Sequence, residues 1–372
     1  MKIPLFRIYW DENDIKSVDR VIRSGKSWCV GKEIEEFERK IADYLGVKYC
    51  VTTNSGSSAL HALMLAHGLG NGDEVIVPSF TFIATAYAPM YVGAKPVFAD
   101  IEEKSLGLDP DDVRKKITKR TKAILPIHYG GIPCRIKELR EIADEHGLKL
   151  IEDAAESFGA KVNRKQTGSF GDSAILSFCQ NKIFTTSEGG AAVTDNKQIY
   201  DRLRLITSYG RVSSGDYFAG ASADYISLGF NWRMSSLLAS LGLSQLKKAD
   251  RLISMRRKNA EYLNRKLRGI GGIRLVEEPK DSFAVYQLYT IRAKKRDSLM
   301  GFLAKRGITS KVYFDPIHRY NVFKGYNANL PVTDRLSKEV LTLPMYPGMI
   351  RKEMDYIIDN IQEFYGGIKD RR

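Results

Sequence analysis

The middle of the chain alternates short apolar runs with segments of helical periodicity, and this alternation limits the fold more than any other feature. The apolar runs show no strand-like alternation of polar and apolar residues, as is typical of strands buried on both faces. Repeated strand and helix units of this kind predict a parallel sheet covered by helices on both faces, an α/β fold. Ligands of such sheets gather at the carboxyl ends of the strands. The predicted strands cover residues 73–79, 95–101, 122–129 and 148–155.

The flanking segments extend this pattern and end in a second, smaller unit. Before the alternation we predict helices over 11–24 and 33–46 and a strand over Tyr49–Thr53. After it come a helix over 197–210, a loop around 212–222 and a long helical stretch over 230–269. The remainder mixes predicted strands at 284–293 and 310–315 with helices at 297–307 and 352–367, which indicates a smaller α+β domain. We place the domain boundary near residue 245, giving a large domain at 1–245 and a small one at 246–372.

Composition excludes several classes of protein. No apolar run approaches the roughly 20 residues that a membrane span needs. The N-terminal segment MKIPLFRIYWDEND carries acids where a signal peptide needs an apolar core, so a cytoplasmic location is expected. The four cysteines form no C-x-x-C pair and the five histidines show no metal-ligand spacing. We therefore expect neither a metal site nor a disulfide framework.

The net charge of +14 is spread over short basic runs that acidic residues border or interrupt. Such runs are typical of solvated surface, and no aromatic residues are interleaved with them. A positive field would also attract an anionic small substrate such as a nucleotide. Nucleic-acid binding is compatible with the charge but has no motif to support it.

One stretch, residues 149–194, combines an acid at the end of a predicted strand with a lysine on a following loop. The acids are Glu152 and Asp153, and the lysine is Lys182, which apolar and hydroxyl residues flank. A pyridoxal phosphate (PLP) site needs a lysine to form a Schiff base and an acid to keep a proton on the ring nitrogen. A solvated lysine and a capping aspartate are the alternative interpretation of the same residues.

A second candidate site is the loop NSGSSAL, where a run of small residues opens directly into an apolar helix. Free N–H groups in the first turn, at Gly56 and Ser57, together with the helix dipole, would bind an anion such as phosphate. The alternative is an ordinary serine N-cap, which is a common way for helices to begin.

These segments, in this order and spacing, strongly resemble the PLP-dependent sugar aminotransferases of the DegT type (DegT/DnrJ/StrS), within the fold type I superfamily. The resemblance covers nearly the whole chain. It implies a large domain with a mostly parallel, seven-stranded type of sheet and a smaller C-terminal domain. The matching segments are SGKSWCVGKEIEEFE, NSGSSAL, DEVIVPSFTFIATAYAPMYVGAKPVFADI, LKLIEDAAESFGA, GSFGDSAILSF, NKIFTTSEGGAAVT, FNWRMSSLLASLGLSQL and LTLPMYPGM.

The resemblance implies chemical roles for three residues. Lys182 is the implied Schiff-base lysine and also the base that moves the proton between cofactor and substrate. Asp153 is the implied partner of the pyridine nitrogen. The family carries Gln, His or Glu near the ring hydroxyl, and Glu156 occupies that position here.

Further residues are implied as contacts of the cofactor or the substrate. Ser177, with Gly56 and Ser57, is implied to bind the cofactor phosphate. Phe82 matches the aromatic residue that stacks on the ring, although a core aromatic is a reasonable alternative. Asn231 matches an asparagine that reaches the phosphate from the other subunit, which implies a homodimer with shared active sites. His318 matches a position near the substrate, and a structural histidine is an equal alternative.

The predicted function is therefore a nucleotide-sugar aminotransferase that takes its amino group from a donor such as glutamate. One branch of the family carries histidine in place of the lysine, and Lys182 argues against that branch. The run TTSEGG resembles that of members acting at sugar carbon four, so we predict a 4-keto-6-deoxyhexose as acceptor. A 3-keto nucleotide sugar is the alternative acceptor. A DNA-binding regulator that retains the fold is the alternative from another class.

Overall fold

A computed structural model of the protein describes residues 1–212, 223–326 and 328–369. All but the first residue of the predicted loop around 212–222 lies outside the described residues. Short 3-10 helices occur at Tyr129–Gly131, Ile317–Arg319 and Asn321–Phe323. The α-helices are α1 (Glu12–Ser24), α2 (Lys32–Leu45), α3 (Gly56–Ala66), α4 (Ile83–Tyr91), α5 (Pro110–Lys116), α6 (Ile136–Glu145), α7 (Lys197–Thr207), α8 (Ser236–Leu246), α9 (Ala249–Leu267), α10 (Arg296–Lys305), α11 (Pro331–Leu336) and α12 (Arg351–Lys369).

The first five strands lie where the sequence predicts strands, and of the later strands described only the one at Tyr289–Ala293 lies in a predicted strand segment. The strands are β1 (Tyr49–Thr53), β2 (Glu74–Pro78), β3 (Lys95–Ala99), β4 (Thr121–Ile124), β5 (Lys149–Asp153), β6 (Lys161–Val162), β7 (Lys165–Gln166), β8 (Ser173–Ser177), β9 (Gly190–Thr194), β10 (Arg211–Val212), β11 (Asp224–Tyr225), β12 (Ile273–Leu275), β13 (Ser282–Phe283), β14 (Tyr289–Ala293) and β15 (Val340–Leu343).

Seven strands form the main sheet, in the order β1-β9-β8-β5-β4-β2-β3. The pairs β2–β3, β2–β4, β4–β5 and β5–β8 are parallel. Strand β9 is antiparallel to both of its neighbours, β1 and β8. The prediction of a mostly parallel sheet is therefore confirmed, and the carboxyl ends of β2, β5 and β8 meet at one edge.

Both faces of this sheet are buried, because successive side chains of a strand point to opposite faces. In β5, Leu150 packs into one apolar cluster and Ile151 into another. In β8, Ile175 and Leu176 likewise belong to different clusters. This arrangement explains why the strands read as continuous apolar runs in the sequence.

The C-terminal part contains a separate antiparallel sheet with the order β12-β14-β15. Side chains of this sheet and of helices α10 and α12 share one apolar cluster, with Ile291, Leu303 and Ile357 as fully buried members. This is the smaller α+β part that the sequence predicts. The boundary near residue 245 stays a prediction.

The long helical stretch predicted over 230–269 was wrong in its continuity. Helix α8 begins only after Ser235, whose hydroxyl accepts a hydrogen bond from the N–H of Leu238 at 3.3 Å. Helix α9 begins after Lys248, whose amino group lies 2.9 Å from Asp11 and 2.7 Å from Asp14 of the α1 region. A side-chain cap and tertiary ion pairs accompany these helix ends, and neither is visible in the periodicity.

The strand predicted over 310–315 was also wrong. Only Lys311 pairs there, as an isolated bridge to Thr342. The chain then leaves the sheet for the 3-10 helix at Ile317–Arg319, so the pairing does not extend. Strands β12 and β15 of the same sheet were not predicted. Among the described residues no helix is long and apolar enough to cross a membrane, and the expected cytoplasmic location stays a prediction.

Candidate active site

Lys182 lies in a turn that follows the carboxyl end of β8. The turn is closed by a hydrogen bond from the Lys182 N–H to the carbonyl oxygen of Cys179 at 3.0 Å. Only 15% of the lysine side chain is exposed, and its Nζ atom lies 3.7 Å from Oε1 of Glu156. The turn therefore presents a largely buried amino group at the edge of the sheet where ligands are expected.

Asp153 ends strand β5 and is buried beside this turn. Its carboxylate accepts a hydrogen bond from the Thr85 hydroxyl at 2.8 Å and one from the Ala155 N–H at 3.2 Å. Burial raises the pKa of Asp153, while these two hydrogen bonds and the positive charge of Lys182 act in the opposite direction. The site thus holds a carboxylate whose charge a cationic partner would stabilise.

Glu156 is the second buried carboxyl group of the site. Its Oε2 atom accepts a hydrogen bond from the Gly130 N–H at 2.8 Å, and its Oε1 atom faces Lys182. The pKa of Glu156 is raised, because the effect of burial exceeds the opposite effect of the positive charge of Lys182. The 3.7 Å separation is that of an ion pair and is longer than a hydrogen bond, so direct proton exchange between the two groups requires them to move closer together.

The start of helix α3 lies against the end of β8. A Cβ atom added to Gly56 would stand 3.1 Å from Cβ of Ser177 and 3.4 Å from the carbonyl oxygen of Leu176. Ser55 caps the helix, with its hydroxyl accepting the N–H of Ser58 at 3.1 Å. The next residue, Ser57, is exposed. The structure therefore brings Gly56 and Ser177 together, as a common phosphate site requires, and the serine cap of the alternative interpretation is also present.

Phe82 follows the carboxyl end of β2 and immediately precedes α4. Its side chain is 58% exposed, although it is a large apolar residue. The ring contacts Phe314 at a centroid distance of 6.3 Å in a tilted arrangement. The alternative of a core aromatic is therefore wrong, because the ring is left exposed near the site.

Asn231 is exposed and pairs with Ser208 through an isolated bridge. The next residue, Trp232, accepts a hydrogen bond from the N–H of Asn54 at 2.8 Å. This contact places the segment beside the start of α3 in its own chain. Reaching the cofactor phosphate of a partner subunit stays a prediction for Asn231.

His318 is held by Ser79, the residue that follows strand β2. The Ser79 hydroxyl lies 2.6 Å from Nδ1 of the histidine and accepts its backbone N–H at 3.1 Å. The other ring nitrogen lies 3.5 Å from Asp334, and burial lowers the pKa of the histidine. These contacts favour the structural alternative, and a role toward the substrate stays a prediction.

Sequence reasoning missed several residues that shape this site. Thr85 binds Asp153, and Gly130 binds Glu156. Tyr313 also lies near the site, and its pKa is raised by burial and then by the charge of Glu156. Of these residues only Thr85 could have been suspected from the sequence, because its hydroxyl lies in the first turn of α4, three residues after Phe82. The other contacts join distant segments and leave no local pattern.

The chain is similar to known proteins over nearly its whole length. The family model described as the DegT/DnrJ/EryC1/StrS aminotransferase family matches residues 9–362. The chain is 36% identical over 373 residues to GDP-perosamine synthase of Vibrio cholerae, covering 98% of this chain and 100% of that one. The chain belongs to this aminotransferase family.

Two further relatives are informative. The UDP-2-acetamido-2-deoxy-3-oxo-D-glucuronate aminotransferase of Pseudomonas aeruginosa is 33% identical over 333 residues, 89% of this chain and 90% of that protein. The structure of Spr1654 from Streptococcus pneumoniae in its PLP form matches with a TM-score of 0.92 and 26% identity, covering 99% of this chain and 100% of that one. The predicted family, fold and enzyme class are confirmed, and the cofactor of this aminotransferase is pyridoxal phosphate.

The residues present fit this cofactor. Gly56 and Ser177 approach closely enough that a Cβ on Gly56 would be crowded, 3.1 Å from Cβ of Ser177, and the two residues give a small-residue cradle at a helix start. A buried carboxylate at Asp153 suits the protonated ring nitrogen. The exposed ring of Phe82 offers a stacking surface, and Lys182 supplies the amine.

Proposed function

We propose that this enzyme transfers an amino group from glutamate to a nucleotide-linked 4-keto-6-deoxyhexose. The observation that carries the reaction class is the largely buried amino group of Lys182, which lies 3.7 Å from Glu156 and whose positive charge acts against the rise that burial causes in the pKa of Asp153. A largely buried amine near two buried carboxyl groups is suited to binding an aldehyde and then moving protons. The similarity to GDP-perosamine synthase over the whole chain supports a nucleotide sugar as the acceptor.

Each of the three groups has a separate task in this proposal. When bound, PLP would supply the electron sink of the reaction. Asp153 would hold a proton on the ring nitrogen, and the hydroxyl of Thr85 helps to keep its carboxyl group ionised. Lys182 would bind the cofactor through its amino group, and the same amino group, when free, would hold or move a proton between cofactor and substrate. Glu156 accepts or returns a proton at the lysine Nζ atom.

Binding of the cofactor is assigned to the residues that the family pattern names. We assign the phosphate to the N–H groups at Gly56 and Ser57 and to the hydroxyl of Ser177. The contact between Gly56 and Ser177 supports this, since the two groups share one corner of the site. Phe82 would stack on the ring and shield it from water, and its exposure is consistent with that role.

The proposed active enzyme is a homodimer in which Asn231 completes the site of the partner. The segment before it carries apolar side chains that a monomer leaves in water, including Tyr225, Ile226 and Leu228. Leu228 is 94% exposed. Exposed apolar patches of this kind mark interaction surfaces, and the location of this one next to Asn231 supports a shared site.

The position of the keto group has a second candidate. The run Thr185–Gly190 resembles that of carbon-four enzymes, and this favours the 4-keto acceptor. The relative from Pseudomonas aeruginosa acts on a 3-oxo sugar by its name, which favours a 3-keto nucleotide sugar instead. The two candidates share the same proton chemistry, so the site around Lys182 does not separate them.

A direct assay separates the candidates. Purified holoenzyme is supplied with glutamate and with 3-keto or 4-keto sugars on the same nucleotide, and release of the keto acid is followed. We expect turnover of the 4-keto sugar, with the Lys182→Ala variant as the inactive control. Turnover of only the 3-keto sugar would contradict the carbon-four assignment. A protein without cofactor absorbance that binds DNA tightly and in a salt-dependent manner would contradict the whole proposal and favour the regulator.

A further inference from the structure

The turn that carries Lys182 is held from the C-terminal part of the chain. The carbonyl oxygen of Asn181, the residue before the lysine, accepts a hydrogen bond from the side-chain Nε2 of Gln287. Gln287 is buried and lies two residues before strand β14. A side chain distant in the sequence therefore fixes the main chain next to the cofactor lysine.

The same segment also holds the loop that positions Glu156. The N–H of Leu288 donates to the carbonyl oxygen of Gly130 at 3.1 Å. The N–H of Gly130 in turn donates to Oε2 of Glu156 at 2.8 Å. Residues 287 and 288 thus bond to Asn181 and Gly130, the residues that lie next to the two partners of the 3.7 Å approach between Lys182 and Glu156.

Arg256 anchors this segment from helix α9. Its Nη1 atom donates to the carbonyl oxygens of Tyr286 at 3.2 Å, Gln287 at 3.3 Å and Met345 at 3.3 Å. Burial lowers the pKa of Arg256 to about 10. Within the described part of the chain its Nε atom has no hydrogen-bond partner. A buried guanidinium that donates to main-chain carbonyls fixes backbone geometry, since its rigid fork loses little freedom on binding.

We propose that Gln287 is a positioning residue that sets the distance between the Lys182 amino group and Glu156. The inference rests on the proposed function, in which Lys182 is the lysine that binds the cofactor. Misplacement of a reacting group by a fraction of an ångström lowers reaction rates although no catalytic group is lost. Loss of the Gln287 amide donor should therefore slow cofactor capture without removing any group that touches the cofactor.

The test replaces the donor and keeps the shape, in the variant Gln287→Glu. The apoenzyme is mixed with PLP, and the absorbance of the lysine-bound cofactor gives the rate of capture. The pH midpoint of that absorbance is then measured. We expect capture to slow about tenfold, a change that corresponds to about 1.4 kcal/mol, and the pH midpoint to move.

A matched control is Gln166→Glu. Gln166 also donates through Nε2 to a backbone carbonyl, that of Tyr44 at 3.4 Å, but it does not contact the lysine turn. This control should capture PLP at the wild-type rate. If Gln287→Glu fails to fold, the uncharged variant Gln287→Met gives the same two readouts. A lowered melting temperature with an unchanged capture rate and an unchanged pH midpoint would overturn the proposal and leave Gln287 a purely structural residue.

Failure of the proposed function would be visible separately. Reduction of the bound cofactor onto its lysine, followed by peptide mass analysis, identifies the attachment site in the wild-type enzyme. Attachment to a lysine other than Lys182 would contradict the proposed function whatever Gln287 does. Attachment to Lys182 with an unaffected Gln287→Glu variant would contradict only the positioning role.

Discussion

The hydroxyl of Thr85 offers a way to perturb Asp153, the acid proposed to hold the proton of the ring nitrogen. Thr85 is fully buried, and its hydroxyl donates to Oδ2 of Asp153 at 2.8 Å. The substitution Thr85→Val keeps the shape of the side chain and removes its hydroxyl, and with it the bond to Asp153 and the 2.8 Å contact with the Thr81 hydroxyl. Because the lost hydrogen bond favours the ionised carboxyl group, the pKa of Asp153, already raised by burial, should rise further.

The size of the effect follows from the type of bond. A hydrogen bond to a charged group contributes about 1.5–3 kcal/mol, and one pKa unit corresponds to about 1.4 kcal/mol. The pKa of Asp153 should therefore rise in the variant. A protonated Asp153 would not hold the proposed ring proton, so the acid limb of the kcat/KM profile should move to higher pH, by about one to two pH units from these energies.

Stability of the cofactor-free enzyme gives an independent check of the sign. When the pKa of a carboxyl group is higher in the folded than in the unfolded state, the free energy of unfolding falls as the pH rises from the unfolded-state pKa through the folded-state pKa. Below the unfolded-state pKa the group causes no such loss. The Thr85→Val variant should therefore lose more thermal stability, relative to wild type, at neutral pH than near pH 4, where an unfolded aspartate begins to protonate (about 3.9).

The control for this experiment is Thr167→Val. Thr167 is also fully buried and donates its hydroxyl to the carbonyl oxygen of Ser157 at 2.8 Å, away from Asp153. This variant should lose stability without a shift of the acid limb. A folded Thr85→Val enzyme with an unshifted acid limb would refute the assignment of Asp153 as the titrating partner of the ring nitrogen.

Three other predictions concern the remaining parts of the site. Lys182→Ala should abolish transamination while the protein still dimerises, as turnover assays and light scattering would show; full turnover by this variant would refute the lysine assignment. Gly56→Ala should weaken PLP binding about tenfold in an absorbance titration, because its Cβ would stand 3.1 Å from that of Ser177. The control Gly70→Ala has no contact closer than 3.7 Å and should bind normally. Hybrids of a Lys182→Ala chain with an Asn231→Ala chain should regain activity, because one of their two sites keeps both residues; hybrids no more active than the two parents would place each site within a single chain.

The central part of the fold was predictable because its signal is local. Strands buried on both faces read as continuous apolar runs, and the helices between them show their own periodicity. The antiparallel direction of β9 was not predictable from its apolar residues, since direction depends on how the preceding turn places the strand. The break between α8 and α9 was missed for a similar reason, because Lys248 is held there by acids at the start of the chain.

The residues of the candidate site also fall into those that the sequence could indicate and those that only the structure shows. Lys182, Asp153 and Gly56 have residue types and positions that indicate a cofactor site, and Phe82 was implied by the family resemblance, so the sequence could propose all four. Gln287 could not be found, because its contact with the lysine turn joins segments more than a hundred residues apart. Residues that position a site through main-chain contacts leave no residue-type signature in the sequence.

Two neighbouring acids show why the sheet, and not the residue type, decides which carboxyl group faces the site. Successive side chains of β5 point to opposite faces, so Glu152 and Asp153 diverge. Glu152 accepts hydrogen bonds from the N–H groups of Gly168, Phe170 and Gly171 at 2.6–2.8 Å and is therefore committed to holding a loop. Asp153 has fewer donors and points toward Thr85 and the lysine turn. A buried carboxylate with few hydrogen-bond donors is the one that can bind a protonated ring. The free-energy cost of removing its charge from water is fully offset only when that cationic partner is present.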